Sequence, residues 1–129
     1  MKVGLESELV LGDLSATRDW SSARDVVRAM WLMLQQEEAD DYVICSGHSR
    51  SVRELVDTAF SYVGIDADEF VRVDQRFVRP PEPVPLVGNP SKAWEHLGWK
   101  PAVSFEEMIG EMVEQDLHEL GKVGEWQTT

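Results

Sequence analysis

The chain has 129 residues and a formal net charge of -12, from 24 acidic side chains against 12 basic ones, with 43% hydrophobic and 28% charged residues. That length and balance suit one globular domain, or part of one. The acidic excess excludes general binding to nucleic acid, whose phosphates reward basic faces, and apolar runs such as "AMWLML" fall far short of the ~20 residues that a membrane span needs.

"ELVLGD" (8–13) predicts a short strand ending in a turn. From Ser21 to about Gln36 the apolar residues Ala23, Val26, Val27, Met30 and Leu34 recur at helical spacing. "YVICSG" (42–47) is an unbroken apolar run closed by glycine, the pattern of a strand covered on both faces. Ser51 and Glu54 make a capping box. After it, Val52, Leu55, Val56, Ala59, Phe60 and Val63 form the stripe of a second helix that Gly64 stops.

"FVRV" (70–73) alternates as a half-exposed strand does. The stretch "DQRFVRPPEP" (74–83) is predicted extended, its prolines and those that follow preventing regular pairing. "PLVG" (85–88) suggests one more short strand. Asn89 and Pro90 open a short helix that Gly98 ends. Ser104 and Glu107 cap a last helix with Phe105, Met108, Ile109, Met112, Val113 and Leu117 on its core face, and the tail from Gly121 is expected to fray. Helices alternating with short strands define an α/β or α+β domain.

Several chemistries are absent from the sequence. No Gly-rich phosphate loop follows a strand, and there is neither a G-x-S-x-G elbow nor a Walker lysine. His48, His96 and His118 lack metal-ligand spacing. Of the three, His48, after a strand-ending glycine, is the best placed for function. Cys45 is the only cysteine, which excludes an internal disulfide and fits a reducing compartment such as the cytoplasm. In its apolar run it reads as a buried, inert thiol. Nothing at the start of the chain suggests secretion.

Arginine remains. Arg18, in "SATRDW", lies between a strand and a helix start, where backbone N–H groups favour an anion. Arg76 and Arg79 lie three apart in the proline-bounded stretch, with Glu82 close behind. Guanidinium groups from two loops could clamp a diphosphate, and a carboxylate beside them could take a sugar diol. The competing reading pairs Arg18 with Asp19 or Asp25 and Arg79 with Glu82, so that nothing binds. Trp20 reads as a corner anchor, Trp31 and Trp94 as packing residues inside helices, and Trp99 as the cover of a helix end.

With these residues laid out, "LVLGDLSATRDWSSARDVVRAMWLMLQ", "DDYVICSGHSRSVRELVDTAF" and "RFVRPPEP…LVGNPSKAWEHLGWKPAVSFEEMIGEMVEQDL" resemble the GDP-mannose 4,6-dehydratase family of extended short-chain dehydrogenases/reductases. The likeness runs in register from about Lys2 to Leu117 and covers only the carboxy-terminal part of the family's length. It implies an extended-SDR fold with most of the Rossmann sheet missing, residues 1–120 forming the nucleotide-sugar-binding portion and 121–129 a tail. The opening enters the family pattern within a helix, which points to truncation.

By resemblance, Arg18 and Arg79 reach the nucleotide diphosphate, Glu82 holds the ribose, and Arg76 matches another basic position. Ser22, Pro81 and Val84 depart from the family pattern. The family oxidises GDP-mannose at C4 with NADP, eliminates water across C5–C6, and reduces C6. Its Gly-rich turn and its tyrosine–lysine pair four apart have no counterpart here, since Ser46 follows Tyr42 at that spacing and Asp66 follows Tyr62. The resemblance therefore implies a chain that binds GDP-mannose or GDP, binds no cofactor alone and performs no dehydration alone. A non-catalytic nucleotide-sugar binding or assembly module, and a fragment without ligand, are the alternatives. "YVICS" is expected to belong to the absent sheet, so its exposed edge predicts self-association or pairing with the missing Rossmann domain.

Overall fold

Short strands and helices alternate along the chain in the computed structural model, which describes residues 4, 6–80, 84 and 86–126. The elements are β1 (Leu9–Leu11), β2 (Thr17–Arg18), α1 (Ala23–Met33), β3 (Arg50–Ser51), α2 (Val52–Tyr62), α3 (Ala67–Phe70) and β4 (Val71–Val73), a 3₁₀ turn (Gln75–Phe77), α4 (Ser91–Leu97) and α5 (Phe105–Trp126). The fold is α/β, with two two-stranded sheets, β1–β4 and β2–β3, among the described residues. None of the described helices is long and apolar enough to cross a membrane. The chain divides into two units, one of residues 1–16, 51–81 and 109–129, the other of 17–50 and 82–108.

The first unit is built on the parallel pair β1–β4, in register Leu9↔Val71, Val10↔Arg72 and Leu11↔Val73. Its core joins Val56 and Phe60 of α2 to Ala67, with Leu9, Leu11, Val52, Ile65, Phe70 and Val71 packed around them. The predicted stripe of α2 is the buried one because every residue in it is apolar at helical spacing. The predicted capping box is present: Glu54 N donates to Ser51 Oγ at 3.1 Å and Ser51 N to Glu54 Oε2 at 2.7 Å. At the end of β1 a Cβ on Gly12 would lie 2.3 Å from the Phe77 carbonyl oxygen, so the backbones approach as only glycine allows.

The stretch after β4 is not extended throughout. Asp74 accepts from Arg76 N at 2.9 Å and so turns residues 75–77 into the 3₁₀ turn. The prolines that enforce extension begin only at Pro80. α5 opens with the predicted box, Ser104 N donating to Glu107 Oε2 at 2.9 Å and Glu107 N to Ser104 Oγ at 3.1 Å. It continues to Trp126, past the Gly121 where fraying was expected, and Met112, placed on the core face by its spacing, is 59% exposed.

The second unit centres on Ala29, Ala93, Leu97 and Trp99, with Leu32, Met33, Tyr42, Ile44 and Trp94 against them. Ala29 and Ala93 are both fully buried, so α1 and α4 cross where neither carries a bulky side chain. That crossing turns the other face of α1 inward from the one expected. Val27, Met30, Trp31 and Leu34 are 62, 56, 59 and 82% exposed, while Asp25 and Ala29 are buried. Trp31 is therefore no packing residue. Trp99 is fully buried and donates Nε1–H to the Asp25 carbonyl at 2.9 Å, a core centre and not merely a helix cover.

Two predicted strands are missing among the described residues of this unit. Residues 42–46 and 86–88 carry no ladder: they come close together, a Cβ on Gly88 lying 2.5 Å from Cys45 Sγ, but among the described residues they exchange no backbone hydrogen bonds. Cys45 is buried as expected. α4 begins at Ser91, one residue later than predicted, with Asn89 Oδ1 accepting from Ser91 N at 3.0 Å. Gly98 ends it at φ 62°.

Candidate functional site

The corner between β2 and α1 carries Arg18. Its half-buried side chain donates from Nη1 to the Thr17 carbonyl at 2.7 Å. The two acids offered as internal partners for it have other bonds. Asp25 is 3% exposed, and its Oδ2 accepts from Ala102 N at 2.8 Å and Val103 N at 3.0 Å. Asp19 Oδ1 accepts from Ser46 N at 2.9 Å and Ser46 Oγ at 2.6 Å, and Oδ2 from Gly47 N at 2.9 Å and Gly88 N at 3.3 Å. Partial burial alone would raise the Asp19 pKa, but these hydrogen bonds outweigh it and hold the carboxyl below its ordinary value. The Cys45 thiol is pushed up, first by burial and then by the negative charge of Asp19.

Arg76 and Arg79 belong to the first unit. Arg76 closes a fork on Asp74, Nε donating to Oδ2 at 2.9 Å and Nη2 to the same oxygen at 2.6 Å. The Arg76 bonds hold the Asp74 carboxyl below its ordinary value. Arg79 is exposed and makes no ion pair among the described residues. Glu82 and Pro81 lie outside the described residues. Arg72, just upstream, caps α3, donating to the carbonyls of Asp68, Glu69 and Val71 at 3.2, 3.0 and 2.8 Å.

The second unit also contains a cleft of about 370 Å³, lined in part by Trp20, Ser46, His48, Arg50, Ser104 and Phe105. Trp20 and Phe105 face each other at 5.8 Å, and the Arg50 guanidinium sits 5.4 Å over the Phe105 ring. Arg50 also lies 3.7 Å from Glu106. Sequence reasoning noticed His48 and missed Arg50. The signal for both was the imidazole and guanidinium side chains close together in "GHSR", at the end of a glycine-closed apolar run. Among the described residues, no group of three or more His, Cys, Asp or Glu side chains could hold a metal ion.

The strand-to-helix turns, 18–23 and 50–52, contain no glycine, so they do not fit the pyrophosphate of a dinucleotide cofactor. The backbone nevertheless matches that of RMD from Pseudomonas aeruginosa complexed with NADPH, at a TM-score of 0.76 and 24% identity over 88% of this chain and 37% of that one. The fold is that of the extended short-chain dehydrogenases/reductases. A sequence model of GDP-mannose 4,6 dehydratase matches residues 1–112. GDP-mannose 4,6 dehydratase 1 of Arabidopsis thaliana is 51% identical over 122 residues, 95% of this chain and 34% of that protein. The GDP-mannose 4,6-dehydratase of Yersinia enterocolitica is 42% identical over 144 residues, 91% of this chain and 39% of that protein. The chain belongs to the GDP-mannose 4,6-dehydratase family. It spans about a third of the length of these relatives.

Proposed function

We propose that this chain is the GDP-sugar-binding part of a GDP-mannose 4,6-dehydratase and carries out no dehydration by itself. The family match over residues 1–112 carries the reading. In it, Arg18 and Arg79 are the cations for the pyrophosphate of GDP-mannose, where guanidinium forks meet phosphate oxygens in pairs. Glu82 takes the ribose diol. Arg76, already bonded to Asp74, adds positive charge to the same loop without offering a second fork. The site is expected to work in the cytoplasm, where Cys45 stays a thiol.

Dehydration at C5–C6 needs a hydride acceptor and proton-transfer groups beside the sugar. The residues of this chain do not fit NADP. No tyrosine has a lysine four residues on. The activity therefore belongs to a longer assembly that supplies both. The exposed apolar face of α1 favours such an assembly, because an uncovered patch of this kind recruits a partner.

Calorimetric titration with GDP and GDP-mannose tests the reading. Weak binding is expected, since part of a site lacks the contacts and water exclusion of a complete cleft. Arg18→Ala and Arg79→Ala are each expected to weaken binding tenfold or more, with the residual affinity read at raised GDP concentration. Binding undiminished in both would remove the clamp, and product formed from GDP-mannose and NADP by the chain alone would overturn the claim of inactivity.

A further inference from the structure

Asp19 follows Arg18 directly, and a carboxylate beside a phosphate-binding arginine would ordinarily repel the ligand. Here its lone pairs are engaged elsewhere. Both oxygens take hydrogen bonds from Ser46, Gly47 and Gly88, so one side chain ties the 18–20 corner to the 46–47 loop and to residue 88. Two of the four donors are backbone N–H groups of glycines at positions that other residues fit poorly. Gly47 has φ 78°, a conformation L side chains rarely adopt, and a Cβ on Gly88 would lie 2.5 Å from Cys45 Sγ. β2 itself is two residues long and offers few ladder bonds to hold Arg18.

We propose that Asp19 is the positioning residue for Arg18: it locks the backbone of the corner and so fixes where the Arg18 guanidinium meets a pyrophosphate. The inference rests on the anion-binding reading of Arg18 above. A guanidinium held in one place gives up less freedom when it binds, and its two-pronged geometry tolerates little displacement. Asp19→Asn replaces one acceptor oxygen with an NH₂ group that must face N–H donors, so the corner loses its lock while its volume stays the same.

The test uses the 129-residue chain, with GDP as probe in calorimetry and the Arg18 Nε–Hε signal in ¹⁵N NMR spectra. Asp19→Asn is expected to weaken GDP binding about tenfold, the worth of one charge-assisted hydrogen bond. Ser46→Ala, which keeps three of the four donors, is expected to weaken it less. Once Arg18 is alanine, Asp19→Asn is expected to add nothing, because the effect passes through Arg18. Additive losses would mark Asp19 as merely structural and overturn the proposal. Wild-type protein giving no heat with GDP would sink the pyrophosphate reading but leave the NMR arm decisive. Positioning requires the Arg18 signal to shift or broaden in Asp19→Asn and in Ser46→Ala, and a signal unchanged in both overturns it. If Asp19→Asn does not fold, Ser46→Ala and its combination with Arg18→Ala decide in the same way.

Discussion

Removing the carboxylate of Asp25 is the most direct probe of what joins α1 to the segment after α4. Asp25 is 3% exposed, and its Oδ2 accepts two backbone N–H groups, from Ala102 at 2.8 Å and Val103 at 3.0 Å. Hydrogen bonds to a charged group contribute roughly 1.5–3 kcal/mol each, so the pair sets an upper limit of about 3–6 kcal/mol. Ala102 is exposed, and water will take its donor in Asp25→Ala. Val103 is half-buried and is left with the larger share of the loss. The expected destabilisation is therefore about 2–3 kcal/mol, a large fraction of the ~5–15 kcal/mol typical of a whole domain. Four of the five tryptophans, Trp20, Trp31, Trp94 and Trp99, lie in the second unit, so urea unfolding followed by tryptophan fluorescence reports mainly on that part of the chain, and Trp126→Phe as background removes the fifth. Glu95→Ala, on the exposed side of α4, serves as control and is expected to change stability by less than ~0.5 kcal/mol. If Asp25→Ala unfolds within that same margin of wild type, the buried acid does not hold the two segments together.

The Asp19 carboxyl has a folded pKa below its unfolded value of 3.8, so its stabilisation is complete above about that pH and lost as pH falls through the folded pKa. The stability gap between wild type and Asp19→Asn should be widest at neutral pH and close under acid, and a gap independent of pH would refute the assignment. Gly88→Ala places a Cβ 2.5 Å from the Sγ of buried Cys45 and is expected to cost about 2 kcal/mol or more, whereas Gly110→Ala meets the edge of the Tyr62 ring, a side chain 51% exposed and held only by a long 3.5 Å bond to Glu114, and is expected to cost less in the same urea titration. Equal losses at the two glycines would contradict this ordering. The uncovered face of Val27, Met30, Trp31 and Leu34 predicts self-association in sedimentation velocity, relieved by Trp31→Glu with Leu34→Glu. A wild-type chain that sediments as one monomeric species would count against it.

What could be read from the residues in order was whatever is decided within a turn or two of chain. The boxes at Ser51–Glu54 and Ser104–Glu107, the left-handed Gly98, the stripe of α2 and the short strands around Leu9–Leu11 and Val71–Val73 all rest on spacings of a few residues, and each is found where the pattern puts it. The family resemblance was legible for the same reason, since motifs such as R-D-W and L-G-W-K-P are local words. The choices made by distant partners were not legible. α1 has apolar residues on two faces, and only the close crossing of Ala29 with Ala93 selects the one that packs. The run at 42–47 has the composition of a strand, but the neighbouring residues 86–88 approach it without forming a ladder. Asp25 and Asp19 look like surface acids because their partners are 78 and 69 residues away, and a short-range pattern carries no record of a hydrogen bond made at that distance.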